Sequence, residues 1–187
     1  MSDARIAKYV LIAVLVFFSC QVVYQYAKDE SLKFSRTEIS DTSCQKLVHK
    51  FIKKDPKNFS GDWDIHIVDI QECEDQIVVG VILYKNLEYL TAYRAYYLAF
   101  EQEAEDIYRF HTFRALRETT TARVQETYIF TEDGRYVLVI SGNPKFCGVT
   151  IEERGSVNAI KKTENPSMVL FEMPANGGTY DYCFMSV

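Results

Sequence analysis

The chain has 187 residues and a formal net charge of −5, from 21 basic and 26 acidic side chains. This length accommodates one ordinary domain rather than two. The basic residues are scattered singly or in pairs such as Lys53–Lys54, so no basic stripe is present to bind phosphates. Composition and charge therefore argue against nucleic acid as a partner.

The first predicted element is a hydrophobic segment that follows Arg5 and Lys8. Tyr9–Phe18 is uninterrupted apolar, and Ala7–Ala27 is long enough for a membrane span, which needs about 20 residues. Residues 1–27 are therefore predicted to form an uncleaved signal anchor, a transmembrane helix.

Two alternatives remain for this segment. A cleaved signal peptide needs small residues at positions −3 and −1, and Phe18 or Gln25 would occupy −3 at the two available sites. A bacterial lipoprotein would carry its lipid on Cys20, although bulky phenylalanines precede that cysteine. In each case residues 28–43 are predicted to be a polar linker, and residues 44–187 a domain in an extracellular, luminal or periplasmic space.

The remaining four cysteines support this location. Cys44, Cys73, Cys147 and Cys183 match neither zinc-ligand spacing nor a C-x-x-C redox motif. Disulfides persist in oxidising compartments, so two structural disulfides are predicted, with all three connectivities open. In a eukaryotic lumen Asn58, in Asn-Phe-Ser, would also be an N-glycosylation acceptor.

One helix is predicted at the start of the domain. Leu47, Val48, Phe51 and Ile52 recur at helical spacing, and the pattern ends before Pro56. The result is a helix of about three turns with one apolar face.

Strands dominate after the helix, because the hydrophobic period changes to two from Trp63 onward. The connections are too short for the crossover helices of a parallel sheet. We predict a mainly β domain, an antiparallel barrel or sandwich of about eight strands with one preceding helix. Asp133–Gly134 predicts a tight hairpin, and the tyrosine-rich stretch 89–104 also fits a helix, although a strand is preferred. The predicted strands are 63–70, 76–84, 92–101, 107–117, 121–130, 136–141, 148–152, 168–172 and 180–185.

No set of residues has the pattern of a catalytic, cofactor or metal site. His49, His66 and His111 are far apart, and none has a partner at ligand spacing. The acidic cluster 101–106 is predicted to be a solvated turn. The many aromatic residues, 14% of the chain, fit either core packing or a ligand-binding surface. We therefore predict a protein that is not an enzyme.

Two short motifs resemble those of known families. Gly61-Asp62-Trp63 resembles the G-x-W signature of lipocalins, and Thr131–Tyr136 resembles their T-D-Y-x-x-Y segment. That resemblance implies a barrel that binds a small hydrophobic molecule, with Gly61 and Trp63 as signature residues. Gln76–Gly80 is similar to the Q-x-V-x-G loop of cystatins, which implies inhibition of papain-like cysteine proteases.

The features combine into one preferred prediction. Anchor, linker and compact domain together are typical of a membrane-anchored, non-enzymatic interaction or assembly module that presents a surface to a protein partner. Lipocalin-like binding of a hydrophobic small molecule is the first alternative. Cystatin-like protease inhibition is the second.

Overall fold

The computed structural model describes residues 17, 19, 21, 29–87, 90–119, 124–131, 134–153, 156–161, 166–175 and 178–185. Most of the predicted anchor, including Cys20, lies outside these residues. Within the described part of the chain, no helix is long and apolar enough to cross a membrane.

The described residues form a mainly β fold with antiparallel sheets, as predicted, but the strands form three sheets rather than one barrel or a two-sheet sandwich. The helix α1 (Asp41–Lys54) precedes all but the first strand. Twelve strands are described rather than about eight. The strands are β1 (Lys33–Ser35), β2 (Asp64–Cys73), β3 (Gln76–Leu87), β4 (Leu90–Ala104), β5 (Ile107–Ala115), β6 (Arg117–Glu118), β7 (Val124–Phe130), β8 (Arg135–Ser141), β9 (Phe146–Glu153), β10 (Ser156–Lys161), β11 (Ser167–Glu172) and β12 (Thr179–Phe184).

The strands are ordered β1-β5-β4-β3-β2 in sheet A, β11-β8-β7-β6 in sheet B and β10-β9-β12 in sheet C. Every strand pairing within these sheets is antiparallel. The sheets stack as layers behind the helix, in the order α1, A, B, C.

Successive side chains of β3 point to opposite faces of sheet A, and both faces are covered. Ile77 and Val79 pack under α1, whereas Val78 and Ile82 pack against sheet B. All four side chains are fully buried. A strand covered on both faces reads as a continuous apolar run, which is the pattern of this segment.

Helix α1 lies on sheet A through one apolar face, as its sequence pattern predicted. Leu47, Val48 and Ile52 are buried there. At its first turn the Ser40 amide donates to Ser43 Oγ at 3.0 Å. Lys53 and Lys54 occupy the last turn, where the negative end of the helix dipole favours cations.

Several element boundaries differ from those predicted. The tyrosine-rich stretch is a strand, as preferred, but β4 runs on to Ala104, so Glu101–Ala104 is strand rather than turn. Strand β1 pairs with β5 inside the predicted linker 28–43, and Ile39 is also buried, so part of that linker belongs to the sheet A layer. The β7–β8 hairpin forms as predicted, although Asp133 lies outside the described residues.

Candidate functional site

An open pocket of about 440 Å³ lies where the C-terminal end of α1 meets β4 and β5. Its walls are aromatic. The Phe113 ring stacks on the Tyr96 ring at a centroid distance of 4.9 Å and on the Phe51 ring at 5.6 Å. Phe59 completes the wall, 5.7 Å from Tyr96. Aromatic rings provide large contact area with little loss of conformational entropy, so this surface suits a ligand as well as a core.

The local sequence explains how these rings meet. Tyr96 is on the helix-facing side of β4, and Phe113 lies beside it on β5, opposite Leu98. After α1 the chain turns back over the sheet, and the amide of Phe59 donates to the Asp55 carbonyl at 3.1 Å. The turn brings Phe59 onto the rings of the sheet.

Two exposed cations, Lys54 and Arg94, line the same pocket. The one acidic side chain in the lining is Asp55. Its carboxylate already accepts two hydrogen bonds from Asn58, one from the side-chain Nδ2 at 2.7 Å and one from the backbone amide at 3.3 Å. In a chain whose net charge is −5, this pocket is therefore a locally cationic site.

The cationic character continues onto Trp63. The Arg94 guanidinium lies 5.7 Å from the indole centroid and Lys85 Nζ lies 5.6 Å from it, so the ring makes contacts with two cations. Lys85 also donates to the Ser60 carbonyl at 2.8 Å. Trp63 is half-buried and packs on the core between α1 and sheet A. Gly61 lies in the preceding turn with φ +82°.

The segment that resembles the cystatin loop lies deep in the fold. Gln76–Gly80 begins β3 and is buried throughout. A Cβ at position 80 would be 2.6 Å from Met168 Sδ, so sheet B packs directly on this backbone. Its observed contacts are those of a central strand.

Asn58, the candidate glycosylation residue, is exposed and lines the pocket. Its Nδ2 atom is the one that donates to Asp55. A glycan on Nδ2 would stand at the mouth of the pocket.

All four described cysteines are free thiols in this structure. Cys44 is buried in the core under α1, and Cys73 in the core between sheets A and B, so they lie on opposite faces of sheet A. Burial raises the pKa of each thiol to about 11. Cys147 and Cys183 are half-buried on the neighbouring strands β9 and β12. No disulfide joins the four described cysteines, so the two disulfides expected from the sequence stay a prediction.

The histidines and acids do not converge on one site. His49 and His66 are exposed, and His111 Nδ1 lies 3.2 Å from Glu101 Oε1. Glu103 accepts from Arg109 Nη2 at 2.7 Å, and this hydrogen bond lowers the pKa of the Glu103 carboxyl. The acidic cluster is thus partly paired rather than only solvated. Across the described ranges, no His, Cys, Asp and Glu side chains are grouped to hold a metal ion.

One carboxylate, Glu126, lies between sheets B and C with two tyrosines, and no sequence pattern indicated this group. The hydroxyls of Tyr180 and Tyr182 both donate to Glu126 Oε2, the first at 2.8 Å. Burial, together with these hydrogen bonds, raises the pKa of both phenols. Glu126 is more than 50 positions from either tyrosine, so no local motif could have indicated the contact.

The pocket was likewise not predicted as a site: Phe51 was singled out only as part of the apolar face of the helix and Asn58 only as a glycosylation candidate, and the further signal was the general excess of aromatic side chains. A comparison of the chain with protein-family models, with curated proteins and with solved structures found no match. Function is therefore inferred from the geometry of the pocket and from the sequence pattern of the N-terminal segment.

Proposed function

We propose that this protein is a non-enzymatic interaction module, held at a membrane by its N-terminal segment, which binds a protein partner through the aromatic pocket. The supporting observation is that four aromatic side chains and two cations line one open pocket. Tyr96 is 7% exposed and the three phenylalanines are partly buried, so part of this aromatic surface is accessible beside the two exposed cations. Aromatic and arginine side chains are enriched in protein interfaces, and tyrosine and arginine are among the residue types that dominate their binding energy.

The chemistry of the lining defines the partner. Phe51, Tyr96 and Phe113 favour an apolar or aromatic side chain, and Lys54 and Arg94 favour a carboxylate next to it. We therefore propose that the partner inserts an apolar residue whose neighbouring group is acidic, either a side chain or a free C-terminus. A cationic or purely aliphatic segment would leave the two rim cations uncompensated.

This proposal is tested with a peptide library that is displayed with either the N-terminus or the C-terminus free. The library is selected on the full-length chain in nanodiscs. We expect enrichment of sequences that place an aromatic or large aliphatic residue beside an acidic group. Exposed ion pairs contribute about 0.2–1 kcal/mol each. Loss of both cations should thus weaken binding by roughly tenfold, since 1.4 kcal/mol corresponds to that factor.

Two double variants are compared, and each removes one exposed lysine and one exposed arginine. The double variant Lys54→Gln/Arg94→Gln removes the rim charges, whereas Lys53→Gln/Arg117→Gln removes two exposed cations outside the pocket. We expect only the first pair to weaken binding. Equal effects from both pairs would show that net charge, rather than the pocket, attracts the peptide.

A small hydrophobic anion is the second candidate ligand, favoured by the pocket volume of about 440 Å³, which is within the range of small-molecule sites. It shares the ligand class, a small hydrophobic molecule, with the lipocalin-like alternative, which placed that ligand inside a barrel with Gly61 and Trp63 as signature residues. Native mass spectrometry of the chain purified without detergent exchange separates the two candidates. A bound mass of a few hundred daltons that is lost from the Lys54→Gln/Arg94→Gln variant would favour the small molecule.

A further inference from the structure

Two of the cysteines lie side by side on sheet C. Cys183 on β12 is opposite Gly148 on β9, and the next pair along the ladder joins Phe184 to Phe146. Cys147 has no partner of its own in this register, because it is the extra residue of a β-bulge. It therefore lies across from the junction between Cys183 and Phe184.

The spacing of the strands suits a covalent bond at this position. Residues opposite each other in an antiparallel pair have Cα atoms about 4.5–5.5 Å apart. Disulfides join residues whose Cα atoms are about 4.4–6.8 Å apart. The bulge holds Cys147 next to Gly148, which is directly opposite Cys183, so the backbone register brings the two cysteines onto neighbouring positions of adjacent strands.

Both side chains also leave the same face of the sheet. On β12 the rings of Tyr182 and Phe184 contact Phe146 at 6.4 and 5.9 Å, so Cys183 between them points away from that core. On β9 the residues that face the core are Phe146 and Val149. Cys147 and Gly148 lie between these two core positions, and the bulge turns both residues outward.

The other two described cysteines have no such neighbour. Cys44 and Cys73 are 1% and 4% exposed and lie on opposite faces of sheet A, with the sheet between them. Thiols with a pKa raised to about 11 by burial are poor nucleophiles for exchange. The placement singles out the pair on sheet C.

We propose that Cys147 and Cys183 form a disulfide that ties β12 to β9 in an oxidising environment. The oxidant is a small-molecule disulfide such as oxidised glutathione. One cysteine thiolate attacks its sulfur–sulfur bond, releases one reduced thiol and leaves a mixed disulfide. The second cysteine thiolate attacks the protein sulfur of that intermediate and releases the second thiol. The protein loses two protons and two electrons, and the electrons reduce the oxidant.

The bond would close a loop through two layers of the fold. Between the two cysteines the chain forms β10 in sheet C and β11 in sheet B before it returns as β12. Within the described residues β12 pairs with β9 alone, on one side. A cross-link at this place restricts the unfolded chain, and we expect oxidation to raise the Tm by about 5–10 °C.

Peptide mapping of the full-length chain tests the proposal. The protein is equilibrated in oxidised glutathione, its free thiols are alkylated, and the monomer is digested with trypsin without reduction. Cys147 and Cys183 then lie in the peptides 146–154 and 163–187, and Cys44 and Cys73 lie in 37–46 and 58–85. We expect 146–154 to be joined to 163–187, two hydrogens lighter than the sum of the reduced peptides, with the other two peptides alkylated.

The variant Cys147→Ser supplies the control. It should lose both the linked peptide and the rise in Tm on oxidation, whereas Cys73→Ala should keep both. The proposal is overturned if 146–154 and 163–187 are recovered separately and alkylated, or if either is joined to a peptide that carries Cys44 or Cys73. The outcome is independent of ligand binding at the aromatic pocket.

Discussion

Replacement of Gly80 by alanine tests how closely sheets A and B pack. A Cβ at this position would lie 2.6 Å from Met168 Sδ and 3.0 Å from Ile140 Cδ1. Met168 and Ile140 are 7% and 0% exposed, so neither side chain has open space to move into. Overpacking of a core costs about 1–3 kcal/mol, and alanine in place of glycine returns about 0.5–1 kcal/mol through the unfolded chain. We therefore expect Gly80→Ala to lower the free energy of unfolding by about 1–2 kcal/mol.

Urea unfolding monitored by the fluorescence of Trp63, the one tryptophan of the chain, measures this change. Gly142→Ala is the matched control, because a Cβ at position 142 meets the Tyr93 ring at 3.5 Å, an ordinary contact. We expect the control to stay within about 0.5 kcal/mol of the parent. A Gly80→Ala variant as stable as the control would refute the close packing of the two sheets.

Three further predictions concern the interior. Glu126→Gln removes the charged acceptor of two phenols, and we expect a loss of about 1–2 kcal/mol in urea unfolding, since hydrogen bonds to charged groups contribute about 1.5–3 kcal/mol; an unchanged midpoint would contradict it. The pKa values of Tyr180 and Tyr182 are raised, so their contribution to the free energy of unfolding should be complete below about pH 10 and should be lost as the pH rises from there through the folded pKa values. A free energy of unfolding that stays constant above about pH 10 would contradict this. Burial of Cys44 and Cys73 predicts that a thiol reagent labels them only after unfolding, and labelling within minutes in the folded state would contradict the two cores that contain them.

Periodicity was sufficient to predict the elements with many buried positions. Helix α1 has a full apolar face, and β3 and β8 are runs of β-branched residues buried on both sides. Strands β1, β6 and β10 were missed, and Arg117 of the two-residue β6 was assigned to the preceding strand. β1 has three residues and is held by backbone pairing to β5, more than 70 positions away, and so short a segment has no period to detect. β10 is an edge strand with mostly exposed side chains.

The candidate sites depend on contacts that no local pattern encodes. Phe51, Phe59, Tyr96 and Phe113 come from a helix, a loop and two strands, and alternation shows which face each occupies but not which faces meet. The same limit applies to the cysteines. Spacing allowed three connectivities, whereas the β9–β12 register places Cys147 next to Cys183. Packing of α1 on sheet A supplies this information for the pocket, and the strand register within sheet C supplies it for the cysteines.

The most direct test of the proposed binding pocket is the fluorescence of Trp63 during titration with a short peptide that ends in phenylalanine. Arg94 lines the pocket and lies 5.7 Å from the indole, so a carboxylate that binds Arg94 should change the emission. We predict a saturable change with the free-acid peptide, weakened roughly tenfold by amidation of the peptide or by Lys54→Gln/Arg94→Gln, and unchanged in Lys53→Gln/Arg117→Gln. Equal responses to the free acid and the amide, or no saturable response up to millimolar peptide, would contradict the proposal that the pocket binds an apolar residue beside a carboxylate.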